Sequence, residues 1–133
     1  MDLKDLTPKS DIIEVKLTHP SNGEPLLNND KTQMTISVYG PYSKEYKKVL
    51  YKHTKDKIKD GQANLDVVEM EELNIAILAE VTVSWNITFD GKNPELNVEL
   101  AKEIYEEVFW IKAQIDEAVQ SSMDFMTAWY VTC

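Results

Sequence analysis

Residues 12–18 read IIEVKLT and residues 33–38 read QMTISV, and these two runs decide the fold class. Apolar and polar residues alternate in both, which is typical of a half-buried β-strand. Between the two runs, residues 20–23 (PSNG) and 28–30 (NND) are strong turn formers. The pattern predicts an antiparallel hairpin over residues 12–39 with a long tip. Because a lone hairpin is only marginally stable in water, its apolar face has to pack against other elements.

The residues that follow predict amphipathic and buried helices. Ser43 is a suitable N-cap for an amphipathic helix that we expect to run to about Asp60. Asp66 is a suitable N-cap for a second helix, which is apolar on nearly every side from Leu73 onward and therefore belongs inside the domain. The end of that run also alternates as a strand does, but we expect the helix to continue to about Ser84.

Two further helices complete the helical part, residues 43–120. Asn97 is the expected N-cap of the third helix, and the aromatic pair Phe109-Trp110 marks a bend or boundary after it. A last helix is expected from Ile111 to about Gln120. The predicted fold class is therefore α+β, with an N-terminal antiparallel β-hairpin packed on a small bundle of about four α-helices.

The length of 133 residues fits one domain. We expect a flexible leader over residues 1–11, a single α+β domain over residues 12–126, and a C-terminal tail over residues 127–133. Residues 1–10 lack the apolar stretch of a signal peptide, and the chain has no apolar run long enough for a membrane span. We therefore expect a cytoplasmic protein that does not enter a membrane.

Charge is distributed unevenly along the chain, whose net charge is -9. Residues 44–60 carry seven lysines and three acids, a local balance of +4, whereas residues 61–124 carry a balance of -11. The chain has no arginine, the residue best suited to phosphate and guanine, and this argues against nucleic-acid binding. Two interpretations of the lysine run, which includes Lys47 and Lys48, remain open: a solvated helix face, or a docking surface for an acidic partner or a second copy.

Sequence patterns of catalytic or metal sites are missing. Glycines are never clustered as in a phosphate-binding loop, and His19, His53 and Cys133 are too few for a structural zinc site. Neighbouring acids such as Glu71 and Glu72 point about 100° apart on a helix and are typical of a solvated face. We therefore expect no catalytic, cofactor or metal site, and a protein that is not an enzyme.

Aromatic residues are concentrated in the second half of the chain, where Trp85 is expected in the core. For Trp110 a core position and an exposed anchor are both open. Aromatic residues on a surface are common hot spots of protein interfaces. The candidate partner-binding residues are Trp110, Phe109, Phe125, Trp129 and Tyr130, together with the two lysines Lys47 and Lys48.

Several segments resemble the tail assembly chaperones of long-tailed, siphovirus-type bacteriophages. They are residues 40–46 (GPYSKEY), 78–87 with VSWN at 83–86, 90–91, 101–105, 109–111 and 124–126. The resemblance implies a protein that binds the tape-measure protein and tail-tube subunits during tail morphogenesis in the host-cell cytoplasm and is absent from the mature virion. No motif defines functional residues in this family, so the resemblance assigns none.

Other interpretations remain. The chain is alternatively a structural tail-completion or connector protein, which purified virions would contain. An acidic inhibitor that mimics DNA is less consistent with the lysine run, and a generic enzyme lacks candidate residues. The separation of basic and acidic regions also suggests a homo-oligomer in which copies line up head to tail.

Overall fold

The computed structural model describes residues 12–41, 43–59 and 66–132, with side chains for all of these except 56–59 and 122–132. The elements follow in the order β1 (Ile12–Lys16), β2 (Thr35–Tyr39), α1 (Lys44–Lys59), α2 (Val67–Val81), β3 (Thr82–Asn86), α3 (Val98–Glu107) and α4 (Phe109–Thr132). The α+β prediction is confirmed, because an N-terminal antiparallel hairpin packs with four helices. The leader, residues 1–11, lies outside the described residues.

The hairpin pairs β1 with β2 in the register that the alternation predicts. Val15 is opposite Ile36, and both are buried together with Leu17 and Val38. Beyond the strands, isolated bridges join Thr18 to Pro25 and Leu27 to Gln33, so the long tip folds back on itself. The apolar face of the hairpin lies against α4 at β1 and against α2 at β2.

A third strand, β3, occupies residues where we expected helix. Helix α2 ends at Val81, and β3 pairs antiparallel with β2 to give the sheet order β1-β2-β3. The expectation of helix to about Ser84 is therefore wrong. Thr82 ends the helix with an extended backbone (φ -72°, ψ 121°), and its hydroxyl donates to the Leu78 carbonyl at 2.8 Å. The β-branched residues that follow suit a strand better than a helix.

The predicted N-caps are confirmed at three helices. The Ser43 hydroxyl accepts from the Tyr46 amide at 3.1 Å before α1. Asp66 and Asn97 accept from the third amide after them, each at 2.8 Å, before α2 and α3. These bonds satisfy amides that have no partner inside the helix, so the local sequence fixes where each helix begins.

The junction between α3 and α4 is the boundary expected at Phe109-Trp110. Val108 leaves helical geometry and ends α3, and α4 begins at Phe109. Helix α4 then continues to Thr132, so the expected end at about Gln120 is wrong. No glycine or proline follows Ile111, so no helix-breaking residue stops it.

The core is formed by the hairpin and three of the helices. Its fully enclosed residues include Leu17, Ile36, Val81, Ile104 and Ile115. In the part of α1 whose side chains are described, residues 44–55, no residue is fully buried, although Tyr46 and Val49 pack partly against the core. Helix α1 is therefore peripheral, and much of its surface remains accessible.

Candidate protein-binding site

The first turn of α2 is apolar and exposed. Val67, Val68 and Met70 keep 82%, 63% and 52% of their surface accessible to solvent. We call these three residues the α2 apolar end. The Asp66 cap fixes them on a regular helix, so their side chains have defined positions. Adjacent exposed apolar residues on a small protein are typical of an interaction surface.

A groove of about 360 Å³ lies between α1, α2 and α4, and we call it the three-helix groove. Its apolar lining comes from all three helices: Tyr46, Leu50, Ile77, Leu78 and Val119. Its polar lining is Asn74, Lys112, Asp116 and Gln120.

The α2 apolar end continues one wall of this groove. Val67, Met70, Asn74 and Ile77 recur at i, i+3, i+7 and i+10, which places them on one side of α2. The groove therefore continues along α2 over Val67 and Met70, whereas Val68 lies on another side of the helix. Because Leu50 on the facing helix also remains exposed, both walls carry accessible apolar side chains.

The rim of the groove on α4 is charged but internally paired. The Lys112 ammonium lies 2.7 Å from the Asp116 carboxylate, one helical turn away. Burial, and then the negative charge of Asp116, raise the pKa of the Tyr46 phenol above its ordinary value. Tyr46 therefore stays neutral at physiological pH, and the surface offers apolar contact with a polar margin.

Helix α1 is tied to α2 by a cluster around Glu80. The Lys52 ammonium lies 3.3 Å from one carboxylate oxygen, and His53 Nε2 lies 3.2 Å from the other. The His53 contact lacks hydrogen-bond alignment, so this buried nitrogen has no hydrogen-bond partner among the described residues. Burial of Glu80 raises its pKa, but its interactions with Lys52 and His53 together outweigh that effect and hold the pKa below its ordinary value. This cluster fixes the wall of the groove that α1 supplies.

A second recess lies at the α3–α4 junction, and we call it the Trp110 pocket. It has a volume of about 240 Å³ and an almost wholly apolar lining. The lining residues are Leu26, Met34, Ile87, Thr88, Phe89, Ile104, Val108, Trp110 and Ile111. Phe109, next in sequence to Trp110, is 61% exposed. The pocket and the exposed ring of Phe109 are the apolar features of this junction.

Asn28 holds together the two loops beside the Trp110 pocket. Its side-chain amide donates to the backbone carbonyls of Thr32 and Asn86, both at 3.2 Å. Its oxygen accepts from the Thr88 hydroxyl at 2.7 Å. Because Asn28 is buried, each of these bonds replaces one to water, and the hairpin tip is fixed against the segment after β3.

The residues predicted to bind partners lie on two separate helices. Trp110 is partly buried against the core, while Phe109 beside it is exposed. Lys47 and Lys48 are exposed on α1, and neither lines one of the described recesses. The side chains of Phe125, Trp129 and Tyr130 lie outside the described residues, although the backbone of α4 includes these positions. Trp85 packs against the core, and its indole N–H donates to the Pro94 carbonyl at 2.9 Å.

The sequence prediction missed the α2 apolar end and Leu50. The sequence analysis expected the apolar helix to be internal from Leu73 onward and did not single out these residues as exposed. Position in the sequence is the signal that distinguishes the α2 apolar end from the buried apolar residues of the same helix. Val67 and Val68 directly follow the helix cap and are next to a cluster of acids at residues 69–72. An apolar turn flanked by solvated charge is less readily buried than one inside an apolar run.

The described part of the chain contains neither grouped metal ligands nor a helix able to span a membrane. Among its side chains, no three or more His, Cys, Asp or Glu residues are grouped so as to hold a metal ion. None of its helices combines the length and apolarity needed to cross a bilayer.

Comparisons of the chain with models of protein families, with curated proteins and with solved structures found no match. The candidate site therefore rests on the geometry of this chain.

Proposed function

We propose that this protein is a tail assembly chaperone. It binds the tape-measure protein and tail-tube subunits during phage tail morphogenesis in the host-cell cytoplasm, and it is absent from the mature virion. The observation that carries the binding function is the apolar surface of the three-helix groove and the α2 apolar end, which no described residue covers. The identity of the partners rests on the sequence resemblance.

The shape of this surface suits an amphipathic helix. Helix-in-groove binding places residues spaced i, i+3, i+4 and i+7 into an apolar groove. The groove has apolar walls on three helices, and the α2 apolar end lengthens it along one axis. A tape-measure chain is helical, and before the tube surrounds it, its apolar stripe needs a temporary cover. The charged body of the chaperone, with net charge -9, keeps such a complex dispersed.

The Trp110 pocket and Phe109 support contact with a second partner. They share no lining residue with the three-helix groove. A tail-tube subunit binding there would leave the groove available to the tape-measure helix, so one copy would bring the two proteins together without an enzymatic step.

Co-expression with the tape-measure protein tests this proposal. Alone, the tape-measure protein is expected to be insoluble; with the wild-type chain it is expected to become soluble and to co-purify. The triple variant Val67→Gln, Val68→Gln and Met70→Gln retains helix propensity but removes the α2 apolar end, and it is expected to lose most of this effect.

Leu27→Gln is the matched control, because Leu27 is also an exposed apolar residue (54%) but lies in the hairpin tip. It is expected to behave as wild type. The proposal is rejected if the wild-type chain neither solubilises the tape-measure protein nor co-purifies with it. Detection of the chain in purified virions would favour a structural tail protein instead.

A further inference from the structure

Helix α1 carries an exposed row of lysines, which we call the lysine face. Five lysines of α1 have exposed side chains: Lys44, Lys47, Lys48, Lys52 and Lys55. Residues 44, 48, 52 and 55 are spaced i, i+4, i+8 and i+11, so they follow one side of the helix for about 17 Å. Glu45 is the one acidic residue among the described side chains of this helix.

Helix α3 carries the opposite charge on its exposed side, which we call the glutamate face. It consists of Glu99, Glu103, Glu106 and Glu107, all exposed. The first three are spaced i, i+4 and i+7, so they follow one side of α3 for about 11 Å. The glutamate face is therefore about two thirds as long as the lysine face.

Neither face is neutralised within the described part of the chain. Of the five lysines there, Lys52 alone forms an ion pair, with Glu80, and no described cation pairs with the four glutamates. Like charges one helical turn apart destabilise a helix. A surface of opposite charge would relieve this repulsion on both helices.

Each face also has an apolar residue beside it. Tyr51 is 75% exposed and stands one turn from Lys47, Lys48 and Lys55. Val98 begins α3 next to Glu99, and it is also exposed. Exposed aromatic rings within a charged surface supply the buried contact that ion pairs alone do not.

We propose that the lysine face of one copy binds the glutamate face of a second copy, so that copies associate head to tail. A nucleic acid or an unrelated acidic protein would cover the lysine face and leave the glutamate face unexplained, whereas a second copy accounts for both. The two faces are different surfaces, so the contact repeats from copy to copy. Repulsion between copies of net charge -9 is screened beyond about 8 Å at physiological ionic strength, while contact ion pairs act at about 4 Å.

This inference goes beyond the proposed function and does not require a tape-measure protein. It is tested on the purified chain alone by sedimentation velocity over a concentration series. The first variant is Lys47→Glu with Lys48→Glu, and the second is Glu103→Lys with Glu106→Lys. The wild-type chain is expected to gain mass with concentration, and each variant alone is expected to associate at least about tenfold more weakly, because like charges then meet at the contact.

The equimolar mixture of the two variants is the decisive sample. The altered α1 of the first then faces the altered α3 of the second, and the unaltered faces also match, so association is expected to return. Glu71→Lys with Glu72→Lys, and Lys31→Glu with Lys92→Glu, repeat the two net-charge changes at exposed residues outside both faces and are expected to associate as wild type does.

Circular dichroism verifies that every variant is folded. If a charge-reversed variant is unfolded, the neutral pairs Lys47→Gln with Lys48→Gln and Glu103→Gln with Glu106→Gln replace it, and each is expected to weaken association. A wild-type chain that is monomeric at every concentration and salt level overturns the proposal. It is equally overturned by folded, charge-reversed variants that do not associate when mixed, or by control variants that lose association to the same extent.

Discussion

The two ends of α2 are similar in composition and opposite in environment. Val67, Val68 and Met70 at its beginning are largely exposed, whereas Leu78 and Val81 near its end are buried. Helix α2 contacts α1, α3 and β2, and its buried residues all lie between Ile75 and Val81. The difference shows that an apolar residue on this helix stabilises the fold only where other elements cover it. The uncovered residues remain available for a partner.

The largest expected effect is a difference in the free energy of unfolding between variants at the two ends of α2. Leu78→Ala leaves a cavity in the core and is expected to lower the free energy of unfolding by about 2–5 kcal/mol. Met70→Ala removes a similar volume from an exposed position and is expected to change it by less than about 0.5 kcal/mol. Urea unfolding followed by circular dichroism measures both. Similar losses in the two variants would contradict the comparison.

A hydrogen bond between two buried hydroxyl groups also lies at the buried end of α2. It makes the free energy of unfolding depend on pH in alkaline solution. The Tyr105 hydroxyl lies 2.7 Å from the Thr82 hydroxyl, and because Thr82 donates its one proton to Leu78, Tyr105 is the donor. Burial raises the pKa of Tyr105 to about 12. The folded-state pKa is above the unfolded value near 10, so this stability is complete below pH 10 and decreases as pH rises towards 12. The expected loss is about 2–3 kcal/mol.

Tyr105→Phe isolates this effect. Both proteins contain the same other groups that titrate in this pH range, so the difference between their free energies of unfolding reports the contribution of Tyr105. At neutral pH the variant is expected to be less stable by about 0.5–1.5 kcal/mol, since one buried hydrogen bond is missing. As the pH approaches 12 the order is expected to reverse, because the phenyl ring of the variant has no hydroxyl to ionise. Unfolding free energies at a series of pH values provide the measurement. Parallel curves would show that Tyr105 is not responsible.

The smallest expected effect concerns Glu80, which connects the buried end to α1. Its pKa is lowered in the folded state, so its contribution to stability is present above the unfolded value near 4.5 and is lost as pH falls through the folded value. Glu80→Gln is expected to be slightly less stable than wild type at neutral pH and equal to it in acid. Acid unfolding curves of the two proteins check this, and a difference that persists in strong acid would disagree with it.

The hairpin and the helix caps were predictable because their signals are local. Alternation placed Val15 and Ile36 in the core, and Asp66 and Asn97 begin helices that their own side chains cap. The strand β3 was not predicted, because a buried helix and a buried strand both give a continuous apolar run. The end of α2 depends on Thr82, whose hydroxyl also meets Tyr105, 23 residues later. Such a contact exists only in the folded chain.

The candidate site was predicted only in part, for a related reason. Phe109 and Trp110 were chosen because aromatic residues at a helix boundary are conspicuous; the structure places Trp110 in the lining of an apolar pocket and leaves Phe109 exposed. The three-helix groove was not predicted, since it forms where three helices that are distant in sequence meet. Val67 and Met70 are apolar in the sequence, and only the packing of the other elements determines that nothing in the described chain covers them.

Site-specific photo-crosslinking tests the central claim most directly. A photoreactive amino acid is placed at Met70, on the groove side of the α2 apolar end, or at Asn22 in the exposed hairpin tip, and each protein is co-expressed with the tape-measure protein. An adduct with the tape-measure protein is expected from position 70 and not from position 22. Equal adducts from both positions, or an adduct from position 22 alone, would contradict the account, because the uncovered beginning of α2 would then not be the binding surface.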